Sequence, residues 1–249
     1  MEYGKAFTFL TEDEKWLTKL LIGGVLVFAG GFVFLPLFLL YGYSFEILRS
    51  VAAGDARPAP EWDRLEDKFK TGLYLFAIRI VYFLPFILVI CCFALLAIAA
   101  AATASGGSRD TANSLGGLVG ILYFCVICFG IVYAVIATIV ADAATLIYAS
   151  SGQLNDAFKF RSVISLAQRH IGDLFMALLL TGVAGAVGTF ASLITCGLGA
   201  PFVTAWVDFA KSHLLGQIFR KSGLALLPAA PVSSSPAPMM PLTPAAPPM

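Results

Sequence analysis

The sequence contains few charged residues and almost no histidine. Only 12% of its 249 residues are charged and two are histidines, whereas 59% are hydrophobic. A soluble domain carries about a quarter charged residues to cover its surface, so this composition argues against a soluble protein. The formal net charge of +1 gives no reason to expect nucleic acid or an acidic substrate. Two histidines also exclude a histidine-rich metal site.

The five cysteines indicate neither a disulfide framework nor a redox site. All of them lie inside long apolar runs, where a thiol behaves as a small hydrophobe. Cys125 and Cys128 have the spacing of a redox or metal motif, but no second pair or histidine accompanies them, so packing is the better interpretation. The chain also lacks a P-loop, a GxSxG or HExxH motif and any carboxylate cluster in its apolar runs. We therefore expect no enzyme.

Long apolar runs predict an all-α integral membrane protein with about five transmembrane helices, in a range of four to six, because a span needs about 20 apolar residues. The predicted spans are approximately residues 17–41, 73–102, 115–148, 173–196 and 202–219. A polar lead-in, residues 1–16, ends in an acidic stretch, which argues against a cleavable signal peptide. The Pro/Ala/Ser/Met-rich tail, residues 222–249, is expected to be disordered.

Two polar linkers, residues 54–72 and 150–171, separate the spans. Each has apolar residues at helical spacing with charged residues between them, which is typical of an amphipathic helix at the membrane interface. The interfacial residues expected from the linkers are Trp62, Phe69, Phe158, Phe160 and Arg161. Five spans place ten basic residues with the linkers and the C-terminus, against four on the side of the N-terminus. The positive-inside rule then predicts that the linkers are cytoplasmic, whereas four spans nearly remove the bias.

A few polar residues fall inside the spans or at their ends, where their energetic cost makes them functional candidates. These candidates are Glu46, Arg79, Asp142, Asp208 and His213. Arg79 is expected either to reach the interface with its long side chain or to pair with Glu46 or Asp142. Asp208 and Lys211 have the spacing of an i, i+3 pair. His213 is a weak candidate ligand for a haem or chlorophyll-type pigment, and a hydrogen-bonded helix residue is the simpler interpretation. We expect no cofactor and no metal.

Glycines at helical spacing predict close helix packing in the membrane. Gly116 and Gly120 form a GxxxG motif, and Gly185 and Gly188 continue the pattern in the fourth span. The pattern is compatible with a partner helix in this chain or in another protein.

Residues around the two linkers resemble a known family. In the first half they are Gly42-Tyr43, Arg49, Gly54-Asp55, Pro60-Glu61-Trp62-Asp63, Phe69 and Gly72. In the second half they are Ala157-Phe158-Lys159-Phe160-Arg161, Gly172-Asp173, Cys196-Gly197-Leu198-Gly199 and the segment from His213 to Arg220. Over about residues 10 to 221 the sequence is similar to the prokaryotic membrane family called domain of unknown function 4013. The resemblance implies a multi-span protein of a prokaryotic cell membrane, without an assigned activity.

These features favour a non-catalytic scaffold or accessory subunit that lies in the lipid bilayer and packs against other membrane proteins or itself. Because the residues resembling the family lie mainly at the interface, we expect a docking surface formed by the linkers. The alternative is a transporter or channel for a small solute, with Arg79 and Asp142 in its polar core. A pigment- or haem-binding subunit that uses His213 is a lesser alternative. Nucleic acid is not an expected partner.

Overall fold

The computed structural model describes residues 2–55, 57–106 and 108–226, and all regular structure in these ranges is helical. The nine α-helices of the described ranges are α1 (Tyr3–Thr8), α2 (Trp16–Gly30), α3 (Pro36–Ala53), α4 (Leu65–Gly106), α5 (Arg109–Ser151), α6 (Leu154–Ala157), α7 (Phe160–Arg169), α8 (Ile171–Ser192) and α9 (Ala200–Ser222). A 3₁₀ turn, Leu193–Thr195, follows α8. The all-α prediction is therefore confirmed. The predicted disordered tail lies outside the described residues from residue 227 onward.

Three stretches of the described chain are long and apolar enough to cross a membrane. They are Leu65–Gly106, Asn113–Ser151 and Ile171–Thr195, and they contain most of the second, third and fourth predicted spans. The first and fifth predicted spans do not meet the same criterion, so the count of about five spans is not confirmed. Both of these segments form helices, and each belongs to a helical hairpin.

The first predicted span, residues 17–41, is a helical hairpin and not a single helix. α2 has 15 residues, about 22 Å at 1.5 Å per residue, which is shorter than the roughly 30 Å of the bilayer core. Residues 31–35 then turn the chain, and Pro36 begins α3 at a position where its missing N–H is not needed. The turn is apolar and open, since Phe32 is 79% exposed.

This hairpin brings the N-terminal segment to the same end of the molecule as the linkers. Lys19 Nζ donates a hydrogen bond to the carbonyl of Ala59 at 2.8 Å, and the side chain of Gln217 bonds to the backbone of Glu2. The structure thus differs from the prediction that separated Lys5, Lys15 and Lys19 from the linkers. The physical reason is that the chain reverses direction after α2, whereas the prediction extended this helix across the membrane.

α8 and α9 form a second helical hairpin, in which the start of α8 lies beside the end of α9. At the open ends Lys221 Nζ lies 2.7 Å from Asp173, and at the closed end Gly188 packs against Val203. The turn between the helices uses left-handed backbone at Cys196 and Gly197 (φ of 53° and 85°). α9, the predicted fifth span, is the central helix of the fold, because it packs against α2, α3 and α8 and is largely buried.

α3 and α4 approach each other backbone to backbone. A β-carbon on Gly42 would lie 1.9 Å from the Lys68 carbonyl oxygen, and one on Gly72 would lie 1.8 Å from that of Phe38. Only glycine fits at both positions, because any side chain would push the helices apart. This crossing fixes the start of α4 against α3.

The outer half of the α4–α5 hairpin projects beyond the rest of the fold. No residue from 83 to 106 is buried, and these 24 residues extend about 36 Å, enough to cross the bilayer core. Pro85 lies inside α4 and disturbs the hydrogen bonds of the preceding helical turn. In that turn the Tyr133 hydroxyl of α5 donates a hydrogen bond to the Tyr82 carbonyl at 2.8 Å. Phe86 fills the space above Gly130.

The two linkers have different structures. In the first, residues 57–64 are irregular and Leu65 begins α4, so the amphipathic helix expected within residues 54–72 is the first part of a continuous 42-residue helix. The segment is helical, as its periodicity predicted, but no turn separates it from the apolar run that follows in α4. The second linker contains two separate short helices, α6 and the amphipathic α7.

Replacing Gly42 with alanine is expected to destabilise the fold by about 1–3 kcal/mol, because the new methyl group clashes with the α4 backbone. The same replacement at Gly116 adds a methyl group where nothing lies within 4 Å, so it should be neutral or stabilise by about 0.5–1 kcal/mol through helix propensity. Thermal unfolding in mild detergent measures both effects. Equal midpoints for the two variants would contradict the backbone contact.

We expect both ends of the described chain to lie on one side of the membrane, opposite the α4–α5 turn. In a cysteine-free background, Glu12→Cys and Arg220→Cys should react with an impermeant maleimide from the same side, and Ser114→Cys from the other. All five native cysteines are exposed, so alanine should replace them without repacking. Labelling of Glu12→Cys together with Ser114→Cys would show instead that α2 and α3 cross the membrane as one span.

Candidate functional site

Lys68 is the centre of a charged group at the start of α4. Its side chain is fully buried, and its Nζ lies 2.8 Å from Glu46. The same nitrogen donates hydrogen bonds to the carbonyl and the carboxylate of Asp63, at 2.8 and 3.1 Å. A buried ammonium is tolerated only with such partners. The bond from Lys68 in turn holds the pKa of the Asp63 carboxyl below its ordinary value of 3.8.

Lys19 has the corresponding role on α2. It is 2% exposed, and its Nζ lies 2.8 Å from the carboxylate of Asp13, 2.8 Å from the carbonyl of Ala59 and 3.6 Å from Glu61. Two buried lysines, one from each side, therefore hold residues 59–63 of the first linker.

An aromatic stack completes the attachment of this linker. The rings of Tyr43 and Trp62 lie 4.0 Å apart and nearly parallel, at 9°, and the Tyr43 hydroxyl donates to the Pro60 carbonyl at 3.0 Å. Trp62, expected at the membrane interface, is thus half-buried against α3, with its Nε1 buried and without a partner in the described structure. Phe69 likewise packs on Phe38. The linker is a rigid part of the fold.

A second charged group joins α4, α5 and α9. Asp142 and Lys211 form an ion pair at 2.9 Å, and both side chains are nearly buried. Arg79 and Asp208 line the same small cavity as this pair, and the Arg79 guanidinium lies 5.4 Å from the centre of the Tyr41 ring. Two acids and two bases therefore balance in this group, which we call the charged cluster.

The pairing within the charged cluster differs from what local spacing predicted. Lys211 reaches Asp142 on α5, and Glu46 is held by Lys68 with Arg64 at 3.7 Å, so neither acid is paired with Arg79. The cavity beside the cluster is small, about 30 Å³, which leaves room for no more than a few water molecules. The cluster therefore joins three helices beside a small cavity.

A cavity of about 590 Å³ lies at the polar end of the bundle. Its wall includes His213 and Gln217 of α9, Phe9 and the loop after α3. The imidazole of His213 stacks on Phe9 with ring centres 4.6 Å apart. The charged lining residues carry both signs: Glu2, Lys5, Glu12, Asp55, Arg220 and Lys221.

Hydrogen bonds around Gln217 indicate which imidazole nitrogen of His213 carries the proton. The N–H of Glu2 donates to Gln217 Oε1 at 2.8 Å, so the amide nitrogen is the group that faces the Glu2 carbonyl and His213 Nδ1, at 3.1 and 3.2 Å. Nδ1 must then accept, which places the proton of a neutral imidazole on Nε2. With one nitrogen bonded and one ring face covered by Phe9, His213 serves to hold the N-terminal segment against α9.

The residues predicted for the second linker separate by exposure. Phe158 packs partly buried against the core, whereas Phe160 is 53% exposed with its ring 5.5 Å from Tyr82. Arg161 is exposed on α7. This linker therefore has an exposed aromatic residue next to an exposed arginine at the start of α7.

The predicted packing glycines have two different environments. Gly188 packs internally against Val203, whereas Gly116, Gly120 and Gly185 have nothing within 4 Å of an added β-carbon. The residues that sequence reasoning missed are Lys19 and Lys68, and Gly42 and Gly72. Lys68 lies one helical turn before Gly72, on the same face of α4, and this spacing was the only indication that the lysine is buried.

A family model described as "Protein of unknown function (DUF4013)" matches residues 17–197 of the chain. The match includes the charged first linker, α7 and all of α8. It ends before His213 and Gln217, although that segment resembles the family. No curated protein and no solved structure matches the chain.

Replacing Lys68 with methionine should destabilise the fold by about 1–3 kcal/mol, because Glu46 and Asp63 lose the ammonium that satisfies them. Amide hydrogen exchange of residues 59–63 should accelerate in parallel. Lys70→Met is the matched control, since Lys70 pairs with Glu66 on the exposed side of the same helix, where solvent screening leaves the pair little effect on stability. Similar exchange in the two variants would contradict the role of Lys68.

Proposed function

This chain belongs to the DUF4013 family of proteins of unknown function, and we propose that it is a non-catalytic membrane scaffold or accessory subunit. In this proposal it packs, through the outer half of the α4–α5 hairpin, against transmembrane helices of other membrane proteins.

The open glycine face of α5 carries the proposal. Gly116, Gly117 and Gly120 lie on the outer half of the hairpin with nothing within 4 Å of an added β-carbon. Elsewhere in this fold, glycines such as Gly42 and Gly188 are placed where another helix touches them. In a bilayer, close packing at small residues drives helix association, because burial from lipid brings no hydrophobic gain. A helix of another protein fits this face.

The large side chains around these glycines support the same conclusion. Ile121 and Phe124 are 66% and 68% exposed, so the hairpin offers ridges beside a groove lined by glycine. Ridges and grooves of this kind define how two helices cross. The exposed Gly182 and Gly185 on α8 provide a second open face.

The distribution of charge favours a scaffold over an enzyme. The buried charged groups are used in structural contacts, with Lys19 and Lys68 holding the first linker and Lys211 joining α9 to α5. A catalytic site needs charged or nucleophilic groups that converge on a substrate cavity. Charged residues of both signs line the 590 Å³ cavity, but the histidine in its wall is engaged by Gln217 and Phe9.

The same features count against the alternative of a solute transporter. A transporter gathers polar groups and broken helices around a site near the middle of the bilayer. Here Arg79 and Asp142 belong to the charged cluster, whose adjoining cavity measures about 30 Å³. The alternative of a pigment-binding subunit is disfavoured because His213 lies at the polar end of the bundle and already contacts Gln217 and Phe9.

We place the protein in the cell membrane of a prokaryote, with the linkers and the polar end of the bundle in the cytoplasm. The N-terminal lysines lie with the linkers, so nearly all basic residues of the chain are at this end, and Arg109 is the one at the opposite turn. The positive-inside rule then favours a cytoplasmic location for that end.

A double replacement, Gly116→Leu with Gly120→Leu, tests the proposal. The leucines fill the groove without touching the rest of the chain, so the fold should persist while co-purifying membrane proteins fall by about tenfold or more, a factor that corresponds to about 1.4 kcal/mol of packing. The measurement is quantitative mass spectrometry after purification of the tagged protein, expressed at its native level, in mild detergent.

Leu118→Phe is the control, because it enlarges an exposed side chain on the other side of the same helix. It should leave the co-purifying proteins unchanged. A wild-type particle that contains this chain alone, or equal recovery of partners with both variants, would overturn the scaffold proposal.

A further inference from the structure

α7 has one face against the protein and one face open. Val163 and Ala167 are buried against α5, at 0% and 5% exposure. Phe160 and Ile164 lie at the open edge of the same apolar face, at 53% and 43% exposure, and Ile171 at the start of α8 extends this exposed apolar stripe. An amphipathic helix with such a stripe is typical of the membrane interface.

The start of α7 is fixed beside the point where α4 enters its exposed outer half. The Tyr82 hydroxyl donates to the carbonyl of Ala157 at 2.6 Å, and the ring of Tyr82 contacts Phe160. Beyond Tyr82 no residue of α4 is buried up to residue 106. The apolar stripe of α7 is therefore continuous with the surface that α4 exposes to lipid.

Two arginines on α7 have no ion-pair partner in the described structure. Arg161 and Arg169 are both exposed, and residues 157–172 contain no acidic residue at all. By contrast Lys159, just before the helix, is paired with Asp156 at 2.6 Å. Net charge is only +1 over the whole chain, so this segment is a local concentration of positive charge.

From this juxtaposition we propose that α7 is a binding site for anionic phospholipid headgroups. Phe160 and Ile164 insert among the acyl chains, and Arg161 and Arg169 bind the phosphates of the adjoining lipids. Guanidinium groups suit this ligand because they bind phosphate oxygens in pairs. The proposal does not depend on the scaffold function, because it concerns a different surface of the molecule.

Charge and position together favour lipid over a soluble anion. A soluble phosphate compound would contact the arginines but not the neighbouring Phe160 and Ile164. An anionic lipid uses both, and each basic residue near an anionic membrane surface strengthens binding by about fivefold. Two arginines should therefore give about a 25-fold preference over a zwitterionic lipid.

Native mass spectrometry of the full chain in mild detergent, titrated with phosphatidylglycerol or phosphatidylcholine, tests the site. The wild type should bind phosphatidylglycerol about 25-fold more tightly, and Arg161→Gln with Arg169→Gln should remove most of this preference. The control is Lys15→Gln with Lys70→Gln, which removes two charges from exposed lysines at the same end and should keep the preference.

Three further measurements separate the possible sources of an effect. Thermal unfolding midpoints should agree between the arginine variant and the wild type, because neither arginine has a partner to lose. Raising the salt concentration should weaken phosphatidylglycerol binding by screening, and millimolar glycerol 3-phosphate should not displace the lipid. Equal binding of the two lipids, an unchanged preference in the arginine variant, or displacement by glycerol 3-phosphate would overturn the proposal.

Discussion

The contact between the backbones of α3 and α4 is the constraint on which the other features depend. Gly42 and Gly72 let the two helices meet without intervening side chains, and packing of this kind replaces the hydrophobic driving force that is absent between helices in lipid. Since α3 and α4 are joined by the first linker, the crossing also determines where that linker must run. Lys68 follows from it directly, because its Cα and carbonyl lie at the contact with Gly42 and its side chain is buried at the same junction.

Buried charge in this protein connects helices. Lys68 brings Glu46 of α3 and Asp63 of the linker together, and Lys211 of α9 reaches Asp142 of α5. Leaving one of these buried charges without its partner destabilises the fold, but the pair itself stabilises the fold little more than apolar side chains would. The main effect of each pair is therefore to fix which helix faces which. In a fold whose other surfaces are nearly all apolar, such contacts distinguish one packing arrangement from its alternatives.

Sequence reasoning predicted the helical class and the three long apolar helices, because length and hydropathy determine both. It did not predict the hairpin of α2 and α3, since residues 31–35 are all apolar or glycine and a hydropathy average does not register a turn made of such residues. Pro36 and the adjacent glycines were the available indications. For the site, Asp142 and Arg79 were recognised as polar groups in apolar surroundings. Their partners were not, because Lys211 reaches Asp142 only through the tertiary packing of α9 on α5.

The two hairpin turns, residues 31–35 and 193–199, contain no charged residue, and this has a consequence for biogenesis. Helices that leave and return on one side do not require a hydrophilic loop to be moved through the bilayer. In the proposed topology the charged segment that is translocated is the turn between α4 and α5, where Arg109 is followed by Asp110 and the two formal charges cancel. In that topology insertion of this protein carries no net charge through the bilayer, because the turn between α8 and α9 is uncharged as well.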